Sequence, residues 1–375
     1  MPTRSQICSS ASAKLAAANV TKLKAVVGLD GFVDSIIEVV STRHSADSYD
    51  RMKTIADFGA RVSAAAGQSS NYEFVITRQK LGGNGPIMAN ALASIGLGVS
   101  YIGNLGHPTP HPVFAEMAKR TVIHSIAEPG HTDAVEFLDG KLMFGKHATL
   151  TEITWENILA RVGIEKLVAM LDEADLVGLV NWTMLPHMTR IWERLLSDVL
   201  PKLSRKSKSR TLFIDLADPE KRTADDLRAA LRTLTQFQNH LEVILGLNLK
   251  ESDQVAAALD IATPKDSESA MESTAAQIRK ILDLGAVVIH PRSSAAAADR
   301  DGTARFIGPF VQHPKISTGA GDHFNAGFVT GRLLGLDLVE SLCSGKATSG
   351  YYVRHGQSPT IRELADFVSH LPPPE

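Results

Sequence analysis

The sequence predicts an α/β fold: a mostly parallel central sheet with helices on both faces, plus a small β lid. Three observations predict it. Short β-branched apolar runs alternate with stretches of helical spacing, the signature of crossover units. One segment, 121–146, breaks that alternation with two or three short strands and no helix. No low-complexity tract, polar linker or fixed-period repeat divides the 375 residues, so residues 1–375 read as a single domain.

In chain order, the strand-like runs are 25–29, 32–40, 99–102, 176–180, 212–215, 243–245 and 287–289. Helical spacing occupies 86–95, 186–200, 224–235 and 274–284 between them. In the excursion, Asp139 and Gly140 form a good hairpin turn, and the run 32–40 is a candidate to join it. A β-rich edge of the main sheet is the plainer alternative for this segment. The basic run 205–210 (RKSKSR) lies between a helix and a strand and reads as a solvated loop.

Composition narrows the function. With 39 Lys+Arg against 41 Asp+Glu the formal charge is −2, which offers no field for nucleic acid or an acidic membrane. Hydrophobic residues at 44% and charged residues at 21% describe an ordinary globular chain. No apolar run reaches the roughly 18 residues of a spanning helix. The opening residues lack the apolar stretch of a secretory signal, and two cysteines make no disulfide framework, so the expected compartment is the cytoplasm.

The strongest chemical signal is Ser317, Thr318, Gly319, Ala320, Gly321, Asp322, followed by HFNAGFVTGRLLG. A Gly-Ala-Gly turn feeding a helix presents unpaired N–H groups at the positive end of the helix dipole, a ready site for a phosphoryl group. Asp322 falls in the first turn, where a carboxylate can orient an acceptor hydroxyl and take its proton. The plainer reading makes Asp322 a cap and the glycines a turn. Earlier stand Leu81, Gly82, Gly83, Asn84, Gly85 and Pro86, then IMANALASIG and GVSYIGNLG: a glycine-rich turn opening a helix, then a strand, then a loop from Gly103 to Gly106.

These two signatures, in this order and across nearly the whole chain, resemble those of the PfkB (ribokinase-like) carbohydrate kinase family. The resemblance implies a ribokinase-like three-layer fold and a phosphotransferase using ATP and magnesium on a sugar or nucleoside hydroxyl. It implies Asp322 as base, and Gly319, Ala320 and Gly321, with Thr318 beside them, as the anion hole at the nucleotide. Asn248, Leu249, Lys250, Glu251 resemble the family's Asn-x-x-Glu motif, with Glu251 reaching magnesium through water; a capping box is the alternative. For the acceptor, Asp34 best matches the family's sugar-binding aspartate and Asp30 is second, although Asp30 could equally shape a turn. Gly82, Gly83, Asn84, Asn104 and Asn181 are further candidates for the sugar side. Trp182 suits either stacking on a sugar or filling core. The family's lid strands imply a homodimer.

Departures from the family pattern accompany this. Ile316 stands where an Asp helps hold a monovalent cation, which argues against potassium activation, and Ile87 replaces the usual Asn of the Gly-Gly motif. The Asp-x-Asn-x-Arg pattern reads Asp215, Leu216, Ala217, Asp218, Pro219. The nucleotide-lining stretch reads His290, Pro291, Arg292, Ser293, Ser294, with Arg292 as a possible phosphate partner or a surface charge. GGNGPIMAN is similar to ADP-dependent sugar kinases of the same superfamily, which leaves ADP as the alternative donor to ATP. A nucleoside kinase and a catalytically silent sugar-binding regulator are the remaining alternatives.

Overall fold

The computed structural model describes residues 2–204, 210–264, 266 and 268–375; the basic run at 205–209 lies outside the described residues. Among the described residues there are fourteen strands: β1 (Lys24–Leu29), β2 (Phe32–Arg43), β3 (Tyr49–Arg51), β4 (Phe74–Gly82), β5 (Gly98–Gly103), β6 (Thr121–Ser125), β7 (Gly130–Phe137), β8 (Gly140–Lys146), β9 (Leu176–Val180), β10 (Thr211–Asp215), β11 (Glu242–Leu247), β12 (Ala286–Ile289), β13 (Ser294–Ala298) and β14 (Thr303–Ile307). Nine form one sheet in the order β14-β13-β12-β11-β10-β9-β1-β5-β6, parallel from β12 to β6 and antiparallel at β13 and β14.

Period-two alternation divides the core of this sheet in two. Val26, Val177, Leu212, Leu245 and Ile289 face helices that include Met188–Arg194, Ala224–Phe237, Leu249–Ala258 and Met271–Leu282. Val27, Leu176, Phe213, Ile244 and Val288 face Arg4–Ala17, Asn84–Ile95, Ala320–Leu333, Leu338–His355 and Ile361–Ser369. The three-layer α/β expectation is met. None of the described helices is long and apolar enough to cross a membrane.

The lid is a second sheet built on β2, which pairs antiparallel with β4, parallel with β7 and, at its far end, with β3; β8 pairs with β7 through the turn at Asp139 and Gly140. The run 32–40 does join the excursion. One boundary is corrected: β6, read as part of the excursion, is the edge of the main sheet, parallel to β5. The short turn from Pro112 to Ala118 returns the chain to the edge, too briefly to read as a crossover helix. Strand β4 escaped the sequence reading because TRQK interrupts its apolar text. One lid face packs a small core of Ile37, Val39, Met52, Phe58, Val135 and Phe137. The other carries Asp34, Lys80 and Thr132 in one cross-strand row, since Asp34 pairs with both neighbours in register.

Candidate active site

The polar residues of interest gather just past the carboxyl ends of the parallel strands, where open α/β sheets present a cleft. Asp30 follows β1, Asn181 follows β9, Asp215 closes β10, Asn248 follows β11 and His290 follows β12.

The loop before the helix Ala320–Leu333 turns at Gly319, whose φ of 92° favours glycine. Ala320 N–H closes the turn on Ser317 O, and Gly321 stands at the open N-terminus of the helix. The loop is pinned from behind. Tyr352 donates its hydroxyl to Thr318 O at 2.9 Å, and His323 stacks on the Tyr352 ring at 3.6 Å. Burial pushes His323 down to about 4, so the ring is neutral: Nδ1 donates to Gly319 O and Nε2 accepts from Ser358 Oγ. Ile87, standing where the family has Asn, packs on this loop, within 3.1 Å of where a Gly319 Cβ would stand.

Asp322 is buried in the first turn of that helix, and Asn84 Nδ2 donates to its Oδ1 at 3.0 Å. This bond joins the two glycine signatures across 238 residues. Burial first, then Asp215, hold the Asp322 carboxyl well above the usual carboxylate range. Asp215 accepts from Asn325 Nδ2 at 2.7 Å and from Ala217 N–H at 2.9 Å, and burial lifts it to about 6. Glu251 accepts Asn248 N–H at 2.8 Å and Asp218 N–H at 2.9 Å, completing a capping box with Asn248. Burial, then Asp215, push Glu251 up to about 8.

On the acceptor side the paired aspartates separate. Asp30 is fully buried and accepts Asn84 N–H, Gly85 N–H and Asn181 Nδ2, while Tyr101 donates its hydroxyl to Asp30 O. It therefore holds the start of the helix Asn84–Ile95. Asn104 donates to Gly31 O and Glu128 O, and Asn181 Oδ1 accepts Met184 N–H. Both asparagines brace loops, although among the described residues Asn104 Oδ1 has no hydrogen-bond partner. Asp34, in contrast, lies on the lid, with Thr132 donating to it and Lys80 and Lys141 as charge partners; burial raises it nonetheless. Gly82 is required here: a Cβ would stand 2.4 Å from Asp34 Oδ1. Gly83, with φ 95°, also passes close to Asp30, a Cβ there meeting Asp30 Oδ2 at 2.8 Å.

Two further expectations resolve. Trp182 fills core, fully buried, its Nε1 donating to Thr189 Oγ1 and its ring under the Arg222 guanidinium. Arg292 is exposed, and among the described residues its guanidinium makes no hydrogen bond or ion pair; its carbonyl accepts from the buried Lys346. The sequence reading missed Asn325, His290 and Lys141. Asn325 lies one helical turn beyond Asp322, a spacing that was legible. His290 lies below Gly321, its ring stacked on Phe324 and its buried Nε2 without a hydrogen-bond partner among the described residues. Lys141, in the lid hairpin, donates to Thr318 Oγ1 at 2.8 Å, which no local text announces.

For magnesium, the donor set allows only loose attachment. Both oxygens of Glu251 and of Asp215 already accept protein N–H groups, and no group of three or more His, Cys, Asp or Glu among the described residues could hold a metal directly. Their remaining lone pairs fit a hydrated ion held mainly by phosphate oxygens.

Residues 3–371 match the family model for prokaryotic ketohexokinase. A ketohexokinase of Haloferax volcanii is 33% identical over 348 residues, spanning 92% of this chain and 91% of that one. Among solved structures, a carbohydrate kinase from Agrobacterium tumefaciens superposes with a TM-score of 0.63 at 16% identity, covering 94% of this chain and 98% of that one. An Arabidopsis thaliana ribokinase complexed with ribose and ATP superposes with a TM-score of 0.61 at 14% identity, covering 92% and 98%. The chain belongs to the prokaryotic ketohexokinase family.

Proposed function

We propose that this member of the ketohexokinase family is a sugar kinase that transfers the γ-phosphoryl group of ATP to a hydroxyl of a ketohexose. The observation that carries this is the Asn84–Asp322 hydrogen bond, which sets a carboxylate of raised proton affinity beside the open helix N-terminus at Gly321. The family assignment supports the ketohexose as acceptor and ATP as donor.

In this reading the acceptor oxygen attacks the γ-phosphorus. Its bond to the oxygen bridging to the β-phosphate breaks, that electron pair leaves with ADP, and the hydroxyl proton passes to Asp322. Gly319 and Gly321 supply N–H groups that receive the charge of the moving phosphoryl group, while Ala320, its N–H turned onto Ser317 O, holds the loop between them and Thr318 lies at their edge. Asn84 aims Asp322, and Asp34 accepts hydroxyl hydrogen bonds from the sugar. Asp30, Asn104 and Asn181 act indirectly, by holding the loops on which Asn84 and Asp34 stand. Glu251, with Asn248 and Asp215, would steady magnesium through water, and the ion would neutralise phosphate charge. The lid excludes water, which would otherwise compete as acceptor. The exposed apolar side chains Phe74, Ile76, Met143 and Phe144 support a homodimer formed through the lid strands.

The test is phosphoryl transfer by purified protein with magnesium across ketohexoses, aldohexoses and nucleosides, with ATP and ADP as parallel donors. Transfer from ATP to a ketohexose is expected. Activity only with nucleosides, or only from ADP, would replace this reading.

A further inference from the structure

The cleft face of the lid carries more than an acceptor aspartate. Register places Asp34, Lys80 and Thr132 in one row and Ile36, Arg78 and Ala134 in the next; two residues further along β7, Glu136 pairs with Lys141, and by alternation Glu38 of β2 shares that face. Lys141 turns that face toward the body: its Nζ donates to Thr318 Oγ1 at 2.8 Å, immediately before the glycine loop. Among the described residues no other ammonium or guanidinium donates to residues 317–322. The Lys141 side chain is 29% exposed, Asp34 is a nearby opposite charge, and Glu136 Oε1, at 3.9 Å, lies beyond hydrogen-bond length. An ammonium carries three donors, and Thr318 takes one.

We propose that Lys141 is a catalytic residue of the transfer step, the lid-borne cation that meets the γ-phosphoryl oxygens. This rests on the kinase reading above. A main-chain anion hole offers only partial charges at the helix terminus. Lys141 adds a full one, and adds it only when the lid lies against the loop, so closure over the sugar and neutralisation of the transferring group are one event. Such coupling disfavours transfer to water when no sugar holds the lid down. Arg78, whose charge reaches Tyr352 behind the same loop, provides a second positive group further out.

The experiment compares the unaltered chain with Lys141→Ala, Lys141→Gln and Lys141→Arg, using ATP, magnesium and D-fructose as a representative ketohexose. Lys141→Ala should lower kcat about 100-fold or more, the scale of losing one preorganised donor at a developing charge, and change the sugar KM far less. Lys141→Gln retains a donor for Thr318 but no charge and should be nearly as slow, whereas Lys141→Arg should recover part of the rate. Affinity for ADP with aluminium fluoride and D-fructose should fall with kcat, while affinity for ADP alone holds. A Lys141→Gln enzyme turning over like the unaltered chain would show a latch and overturn the proposal, as would a loss confined to KM. If the unaltered chain phosphorylates no sugar, the kinase reading falls, and this with it.

Discussion

The body lines the cleft with carboxylates, whereas the lid brings cations interleaved with acids. Past the strand ends of the main sheet lie Asp30, Asp215, Glu251 and Asp322, all buried and all shifted upward by burial, two of them, Glu251 and Asp322, further by the neighbouring Asp215. The lid offers Arg78, Lys80 and Lys141 around Asp34 and Glu136 on one face of a thin sheet. Layering differs too: the main sheet is packed on both faces, whereas the lid has one small apolar core. The difference teaches that each half is electrostatically incomplete. In the proposed mechanism the body supplies a base and the dipole of a helix, at the cost of crowded carboxylates, and the lid supplies cations that can offset them.

The largest effect expected from breaking this division is at Asp322. Asp322→Asn keeps an oxygen to accept Asn84 Nδ2 but removes the base, so kcat should fall about 10²–10⁴-fold. Sugar and nucleotide affinity and the melting temperature should change little. Near-normal turnover would remove Asp322 from the role of base.

Next comes a pair of core truncations that test whether the two regions are separable. Trp192→Ala, in the fully buried core of the body, should cost about 3–5 kcal/mol and lower the main melting transition. Phe58→Ala removes the same kind of packing from the lid core, where Phe58 meets Phe137 and Tyr72. Its cost should appear as faster amide exchange in β2 and β7 and a raised sugar KM, with the main transition nearly in place. Equal loss of melting temperature in both variants would show lid and body to be one cooperative unit.

A smaller effect is expected at the seam between the regions. In Gly82→Ala the new Cβ would overlap the Asp34 carboxyl and force the aspartate aside. Overpacking of this kind costs about 1–3 kcal/mol, which read as lost sugar affinity is roughly 5- to 150-fold in KM. The expected signature is a raised sugar KM with unchanged ATP affinity.

The division also explains which features were legible in the sequence. The parallel strands of the body announce themselves because burial on both faces demands continuous apolar text, as in AVVGL or TLFID. The glycine loop does so because helix-terminus chemistry is local. In contrast, β13 reads SAAAA, poor in β-branched residues, and takes its strand character from pairing with β12 and β14. Asp30 and Asp34 stand in one short phrase of sequence and cannot be told apart there. The chain crosses between them from the end of β1 into β2, which leaves one inside the body and carries the other onto the lid. Lys141 is invisible for the same reason, since its partner Thr318 is 177 residues away and in the other region.

The smallest expected effect is the most informative about the carboxylates. Asp215→Asn removes a buried negative charge beside Asp322 without orphaning the groups that Asp215 now serves. The new Oδ1 can still accept Ala217 N–H, and Asn325, whose own Oδ1 has no partner, can rotate its amide to accept from the new Nδ2. Asp322 is held high by burial first and by Asp215 second, so the substitution lowers its proton affinity without returning it to an ordinary value. A base works only above its pKa. The acid limb of kcat/KM should therefore move to lower pH, and the rate at acidic pH should rise while a weaker base lowers the plateau slightly. Stability follows the same sign. A carboxyl whose folded pKa is raised favours the fold below its unfolded pKa and loses that contribution as pH rises through the folded one. For Asp215 that window runs from 3.8 to about 6, and thermal melts of the variant should lose the corresponding decline. An acid limb that stays in place would mean that Asp215 does not tune the base, leaving burial alone to set the proton affinity of Asp322.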